Sequence, residues 1–124
     1  MPLTYMIDKA RGVVVAHATG VLTADDLQAW RAEMKSNPAF DPTHGQLCDL
    51  RDVTDVAISV PAMARIAAST VFAAGSRHAL ICSTEIQYGM ARMYAMLSEP
   101  HGQQVHVFRE PEVAEAWLLE GYRG

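Results

Sequence analysis

The sequence lacks an excess of positive charge and lacks any long apolar run. It has 10 lysine and arginine residues against 14 aspartate and glutamate residues, for a formal net charge of −4. A chain with that charge has no basic field to attract the phosphates of a nucleic acid, so we expect no nucleic-acid binding. The apolar run at residues 13–16 is typical of the chain in its length. It is far shorter than the ~20 residues that cross a bilayer, so we also expect no membrane insertion.

Cysteine is scarce as well, with only Cys48 and Cys82 in the chain. Each lies in an apolar, strand-like segment. Two cysteines at this spacing form neither a zinc motif nor a disulfide framework, and buried reduced thiols are the favoured interpretation. The start of the chain carries charges where a signal peptide needs its apolar stretch. These features predict a cytoplasmic protein.

The common catalytic and phosphate-binding motifs are missing too. The sequence has no Gly-x-Ser-x-Gly elbow, no Cys–His signature and no glycine-rich phosphate loop. No spacing directs two imidazoles at one metal ion, since the histidines are scattered over the chain: His17, His44, His78, His101 and His106. A Ser–His–Asp triad assembled only by folding would leave no such signature. We expect no metal, no cofactor and no enzymatic activity.

What is present is organised around residues 46–59, QLCDLRDVTDVAIS. An apolar strand over residues 45–50 is predicted here, followed by an acidic loop that contains Asp52 and Asp55. Ser59 stands just before the next predicted helix. A general acid needs a raised pKa, which requires burial or a close like charge. In a polar turn beside Arg51 the two aspartates should stay ionised, which argues against paired-carboxylate catalysis.

The first part of the chain predicts a hairpin and a helix. Apolar and β-branched residues at 3–8 and 13–19 flank a turn-forming segment, as in a β-hairpin. Thr23 and Asp26 have the spacing of a capping box that starts a helix. That helix extends to about residue 36, with its buried stripe predicted at Leu27, Trp30 and Met34.

The second part alternates helices and strands. Helices are predicted over residues 60–74, 85–98 and 110–119, with Gly75 as a terminator and Trp117 directed inward. Strands are predicted over residues 78–83 and 104–108. The order β-β-α-β-α-β-α-β-α predicts a single α/β domain over residues 1–124, with a mixed, mostly parallel sheet and an N-terminal β-hairpin.

In open parallel sheets, ligands and partners bind beyond the carboxyl ends of the strands. Those ends carry the predicted regulatory or partner-contact residues Asp52, Asp55, Ser59 and Thr84, together with Arg109 after the last strand. Ser59 and Thr84 are also the residue types that cap helices. Helix capping alone outweighs a reactive role for either hydroxyl.

The helix over residues 85–98 is apolar nearly all round. Its predicted core stripe is Ile86, Met90, Met93 and Leu97, while Tyr88, Tyr94 and Met96 lie off that stripe and Arg92 is the only charge from residue 86 to residue 98. Methionine and tyrosine are enriched at interfaces. We therefore favour a surface for self-association or for a protein partner slightly over the interpretation that the helix is simply buried in the core. Gly89 predicts close backbone packing nearby.

The segments GVLTADDL, QLCDLRDVTD and IQYGMARMYAML, with the order of elements, resemble the SpoIIAA-like family of the STAS fold (sulphate-transporter and anti-sigma-factor-antagonist domains). The resemblance covers nearly the whole chain and implies a regulator without catalysis. The best-known bacterial members bind a partner kinase and are phosphorylated on a serine in a turn after the central strand. That serine falls at Ser59, although the flanking aspartate, the neighbouring serine and the glycine of the family's turn are absent. Other proteins of the fold bind nucleotides or lipids.

The first functional hypothesis is therefore a non-enzymatic regulatory or protein-interaction module, with partner switching among its roles. It includes a homodimer as one form of the interaction. The alternative is a small-ligand carrier for a lipid or nucleotide, with its pocket near Tyr88, Arg92 and Arg109, where a guanidinium could meet a carboxylate or phosphate. The third hypothesis is an enzyme, and no motif supports it.

Overall fold

Five strands form one sheet whose spatial order, β1-β2-β3-β4-β5, is also their order along the chain. The computed structural model describes residues 2–120. The strands are β1 (Leu3–Asp8), β2 (Val13–Thr23), β3 (Gly45–Ala57), β4 (Arg77–Ile81) and β5 (Gln104–Phe108). The helices are α1 (Ala24–Ser36), α2 (Val60–Ala68), α3 (Glu85–Ser98) and α4 (Pro111–Glu120), with a 3-10 turn at Glu99–His101.

The sheet is mixed, as predicted. β1 and β2 form an antiparallel hairpin, and the other neighbouring pairs are parallel. β3 is the central strand. The α/β class, the N-terminal hairpin and the order β-β-α-β-α-β-α-β-α are confirmed.

The two faces of the sheet carry different helices. On one face, buried residues of α1, α2 and α3 form the main core with the sheet, represented by Met34, Ile66 and Ala91. On the other face, Ala114 and Leu118 of α4 pack with a smaller apolar cluster. Three consecutive crossovers on one face follow from strands that are added in chain order, because right-handed connections then all lie on the same side.

Three helices begin at the predicted residues for the predicted reason. Thr23 and Asp26 form a reciprocal capping box at the start of α1, and Thr84 and Gln87 form another at the start of α3. Ser59 caps α2, where its Oγ accepts from the amide of Ala62 at 3.2 Å. The predicted burial of Cys48 and Cys82 is also confirmed, and both are free thiols.

The predicted acidic loop after residue 50 is wrong. β3 continues to Ala57 because β2 continues to Thr23, and the two strands stay paired past two register shifts. Asp52 is therefore opposite Thr19 and Asp55 is opposite Val21 within a ladder. β4 pairs with β3 only as far as Asp49, so this acidic stretch belongs to a two-stranded extension of the sheet.

The predicted end of α2 at residue 74 is also wrong. The helix ends at Ala68, and the chain turns so that Phe72 is buried edge-to-face against Phe40 and His78. Burial of the Phe72 ring stabilises the fold more than one further turn of α2 would, because that turn would contain the β-branched residue Thr70. Gly75 does not terminate this helix and lies in the following turn with φ +87°.

Within residues 2–120, no helix combines the length and apolarity needed to cross a membrane. The same residues contain no group of three or more histidine, cysteine, aspartate or glutamate side chains placed to hold a metal ion.

Candidate functional site

The four predicted contact residues do not form one cluster. Asp52 Oδ2 accepts a hydrogen bond of 2.7 Å from His17 Nε2 across the β2–β3 ladder, and both side chains are solvent-exposed. Asp55 is exposed and accepts from the amide of Val56. Ser59 and Thr84 use their hydroxyls as helix caps. Among residues 2–120, no hydrogen bond or ion pair joins Asp52, Asp55, Ser59 or Thr84 to one another.

The residues predicted for a ligand or an interface, Tyr88, Arg92, Met96 and Arg109, are brought together only in part. Arg109 lies over the ring of Tyr88, with 4.6 Å from the guanidinium carbon to the ring centroid. Arg92 and Met96 follow Tyr88 at intervals of four residues, so they share its side of α3. Arg92 is exposed and Met96 is 73% exposed. This side of α3 is therefore a surface at Arg92 and Met96, while Tyr88 is half-buried and packs against the main core.

The predicted core stripe of α3 is correct only in part: Met90 and Leu97 pack against the main core, and Ile86 does not. The buried residues of the helix are Gln87, Ala91 and Ser98, and Ile86 is 60% exposed. The helix is rotated because Gln87, a polar residue, is required inside. Its Nε2 donates to the carbonyl oxygens of Arg51 and Val53, at 3.1 and 2.8 Å.

Gln87 also explains how β3 can extend beyond β4. In the extension, β3 has no strand on its β4 side, and its carbonyl groups need other partners. Gln87 supplies them, while its Oε1 accepts from the amides of Ser83 and Thr84 at 2.8 and 3.2 Å. One buried side chain thus joins the start of α3 to the extension.

A cavity of about 80 Å³ lies between the sheet and the helices α1, α2 and α3. Its wall is largely apolar and comes from all three helices and from β1 to β4. The sheet side includes Cys48 and Leu80, and the helix side includes Trp30, Met63 and Ala91. The cavity is partly open to solvent. Tyr88, Arg92 and Arg109, the residues of the predicted ligand pocket, are not among those that line it.

Among the described residues, Arg31 is the one charged residue in this wall. Its Nη2 donates to the hydroxyl of Tyr94 at 2.7 Å, and its Nη1 donates to the carbonyl of Ile66. No carboxylate of residues 2–120 forms an ion pair with Arg31. An arginine without a counter-ion beside an apolar cavity favours a neutral or anionic occupant over a cationic one.

Trp30 contributes the other distinctive polar atom. The residue is 4% exposed, and its indole Nε1 is buried without a hydrogen-bond acceptor among the described residues. The side-chain amides of Gln87 and Gln46 in the wall already have hydrogen-bond partners. Gln87 bonds to the backbone groups described above, and Gln46 Oε1 lies 3.2 Å from His78 Nδ1.

His78 lies between two buried amides, one of which belongs to the cavity-lining residue Gln46. Its Nδ1 is 3.2 Å from Gln46 Oε1 and its Nε2 is 2.7 Å from Gln103 Oε1. Burial lowers the pKa of His78 to about 4, and the charge of Arg31 acts in the same direction, while the bond from Gln103 opposes them. His78 is therefore neutral near pH 7. Burial likewise raises the pKa of Cys48 to about 12, which leaves an unreactive thiol in the cavity wall.

Sequence reasoning found Trp30 as a core residue but missed Arg31 and Tyr94. Tyr94 was predicted to lie off the core stripe, and it faces inward because the helix is rotated. Arg31 follows Leu27 by four residues and therefore lies beside the buried stripe of α1. That position was the available signal for an inward-facing guanidinium.

No family model and no curated protein matches the chain. Among solved structures, it is similar to an uncharacterised protein of the DUF3478 family from Shewanella loihica PV-4, described as having a SpoIIAA-like fold. The TM-score is 0.63 at 18% identity, and the match covers 94% of this chain and 93% of the other. The match confirms the predicted fold, and at this identity it establishes the fold alone.

Proposed function

We propose that this SpoIIAA-like fold serves here as a non-enzymatic ligand-binding module, in which a small apolar molecule occupies the cavity beneath α1, α2 and α3. The cavity is the observation that carries the proposal. Protein interiors are close-packed and contain few voids larger than a water molecule, so an apolar space of about 80 Å³ that reaches solvent is a feature in need of an occupant.

The size of the cavity limits the ligand. It has roughly half the volume of the ~150 Å³ engineered cavity that accepts benzene in a protein core. A handful of apolar heavy atoms fills it, and a longer ligand would extend through the opening. Arg31 lines the same space without a counter-ion, which disfavours cationic ligands. A large polar nucleotide fits this space poorly.

Native mass spectrometry of the protein purified under mild conditions tests this function. We expect a fraction of the protein to carry an added mass that organic extraction removes and chromatography identifies as an apolar compound. The matched control is Ala91→Leu, which fills the cavity from α3 and should be free of that mass. An identical bound compound in both proteins, or bare protein in both after incubation with apolar extracts, would contradict the proposal.

A second candidate function, a protein-interaction module, is favoured by the outer side of α3. Ile86 is 60% exposed and Met96 is 73% exposed on that helix. The inner side of the same helix, through Ala91 and Tyr94, lines the cavity. A ligand that shifts α3 would alter this outer surface, and binding and partner recognition would then form one regulatory device.

A second copy of the chain is the simplest partner for that surface. Sedimentation velocity should show a dimer for the unaltered protein and a monomer for Met96→Glu. Val113→Glu is the control, because Val113 is a comparably exposed apolar residue on α4. A monomer at every concentration of the unaltered protein would reject the dimer.

Partner switching through Ser59, which is exposed at the start of α2, would require phosphorylation of Ser59. Peptide maps after incubation with kinase-competent lysate should then show phosphate on Ser59.

The proposed compartment is the cytoplasm, and the two free thiols support it.

A further inference from the structure

We infer that the cavity ligand is a small apolar carboxylate, whose acidic group is held by the guanidinium of Arg31 and the hydroxyl of Tyr94 while its apolar part fills the cavity. The inference rests on the proposed function, since it names the chemical class of the molecule in the cavity. It separates apolar acids from neutral apolar compounds of the same size.

Arg31 and Tyr94 form a polar pair in a largely apolar wall. Arg31 Nη2 donates to the hydroxyl oxygen of Tyr94 at 2.7 Å, and both residues line the cavity. Both are half-buried, whereas Met63, Ile66 and Leu80 in the same wall are buried. The partly open cavity thus combines a polar pair that keeps contact with solvent and a buried apolar remainder, which is the arrangement that a molecule with one polar end requires.

The pair offers donors that the protein does not use. A guanidinium has five N–H groups and no acceptor, and Arg31 uses two of its five, toward Tyr94 and the carbonyl oxygen of Ile66. The hydroxyl of Tyr94 accepts from Arg31, and no acceptor among residues 2–120 receives its own O–H. The matching ligand group is one that only accepts. An ionised carboxylate does so, and its two oxygens suit the planar guanidinium.

The charge of Arg31 is not needed for its contacts within the protein. Both of its hydrogen-bond partners are neutral, so they link the helices without neutralising the guanidinium. A charge partly removed from water is stabilised by an opposite charge nearby. Burial is the main cause of the lowered pKa of His78, and the charge of Arg31 adds to it, so the positive field of Arg31 reaches the core. A carboxylate ligand would compensate that field, and a neutral ligand would not.

The test compares cyclopentanecarboxylate with cyclopentanecarboxamide, which have the same ring and heavy-atom number and differ in charge. Titrations at pH 7, followed by the methyl resonances of Ile66 and Leu80 in the cavity wall, give the two dissociation constants. The carboxylate should bind about tenfold more tightly, because a hydrogen bond to a charged group is worth more than one to a neutral group. Methylenecyclopentane, the ring without a polar group, tests occupation of the cavity alone.

Three variants assign this preference to the polar pair. Arg31→Met keeps an apolar side chain of similar length and removes the charge, so the ratio of the two affinities should fall to about one. Tyr94→Phe keeps the ring in the wall and removes the hydroxyl, so the ratio should fall about threefold. Arg92→Met is the matched control, because it removes the same charge from an exposed residue outside the cavity lining. It should retain the preference.

The outcomes separate the inference from the proposed function. If the compounds shift the cavity methyl groups but the carboxylate binds no more tightly than the carboxamide, the inference is wrong and the cavity remains a binding site. The same holds if the preference survives in Arg31→Met or is lost equally in Arg92→Met. If Arg31→Met does not fold, an unchanged preference in Tyr94→Phe overturns the inference. If no compound shifts the methyl groups at saturating concentration, the proposed function fails and the inference fails with it.

Discussion

Arg31 of α1 and Tyr94 of α3 are joined by a hydrogen bond of 2.7 Å from the guanidinium Nη2 to the phenolic oxygen. Arg31 also donates to the carbonyl of Ile66 in α2. A single side chain therefore links the three helices that cover one face of the sheet. All three residues line the cavity, so the same contacts that hold the helices together define the space between them.

Gly89 in α3 should be replaceable with a gain in stability. An added Cβ would meet no atom within 4 Å, so the expectation of close backbone packing at this glycine is wrong. Gly89→Ala should stabilise the protein by about 0.5–1 kcal/mol, because alanine loses less backbone entropy in a helix. Urea unfolding measures the change.

Gly102 is the contrasting control for that prediction. Its φ is +82°, and an added Cβ would lie 2.9 Å from the Cβ of Ala74. Gly102→Ala should therefore destabilise the protein by at least ~1 kcal/mol. Equal effects of the two substitutions would show that Gly89 is not an ordinary exposed helical position.

Gln87→Leu should destabilise the protein by at least ~2 kcal/mol. The substitution keeps the approximate size of the side chain but leaves the carbonyl groups of Arg51 and Val53, and the amides of Ser83 and Thr84, without their partner. Gln28→Leu on the exposed side of α1 is the matched control and should change the free energy of unfolding little. Similar losses in both variants would mean that the network around Gln87 is not a source of stability.

The free energy of unfolding should decrease on mild acidification, and His78 should be the cause. Its pKa is lowered to about 4 in the folded protein, against about 6.5 for an unperturbed histidine. The unfolded chain therefore binds the proton first as the pH falls below 6.5, and the stabilisation present above that pH is lost progressively down to about pH 4. Between pH 7 and pH 5 the expected loss is roughly 2 kcal/mol.

Urea unfolding at a series of pH values measures that slope. His78→Gln should be less stable at pH 7 but should lose the part of the slope that His78 contributes between pH 6.5 and pH 4. The lowered pKa values of the Asp8 and Asp49 carboxyls act below their ordinary range, near pH 4 and lower, so they do not imitate this effect. An unchanged slope in His78→Gln would rule out His78 as its cause.

The periodicity and capping signals in the sequence were sufficient for most of the fold. Thr23 and Thr84 each precede a matching acceptor by three residues, and such local chemistry marks a helix start without reference to the rest of the chain. The extension of β3 was not predictable in this way, because Asp52 and Asp55 are poor strand residues. They are held in a strand by pairing with β2, which is a contact distant in the sequence.

The candidate site was harder to predict for the same reason. The rotation of α3 depends on Gln87 meeting the carbonyl groups of β3, and a helical pattern of apolar residues does not contain that information. A cavity depends on how well side chains from separate elements fill the space between them. Trp30 and Met34 were correctly predicted to be buried, but no property of either residue predicts the space that Trp30 borders.

The most direct test of the account is a fluorescence titration of Trp30 in the Trp117→Phe background with methylenecyclopentane or cyclopentanone. Since Trp30 borders the cavity and is then the sole tryptophan, we predict a saturable change in its emission. The change should be abolished by Ala91→Leu, and by Cys48→Leu from the sheet side, and should be retained in Ala29→Leu on the exposed side of α1. A linear, unsaturable response, or an equal saturable response in the variants with a filled cavity that remain folded, would contradict a ligand-binding cavity in this protein.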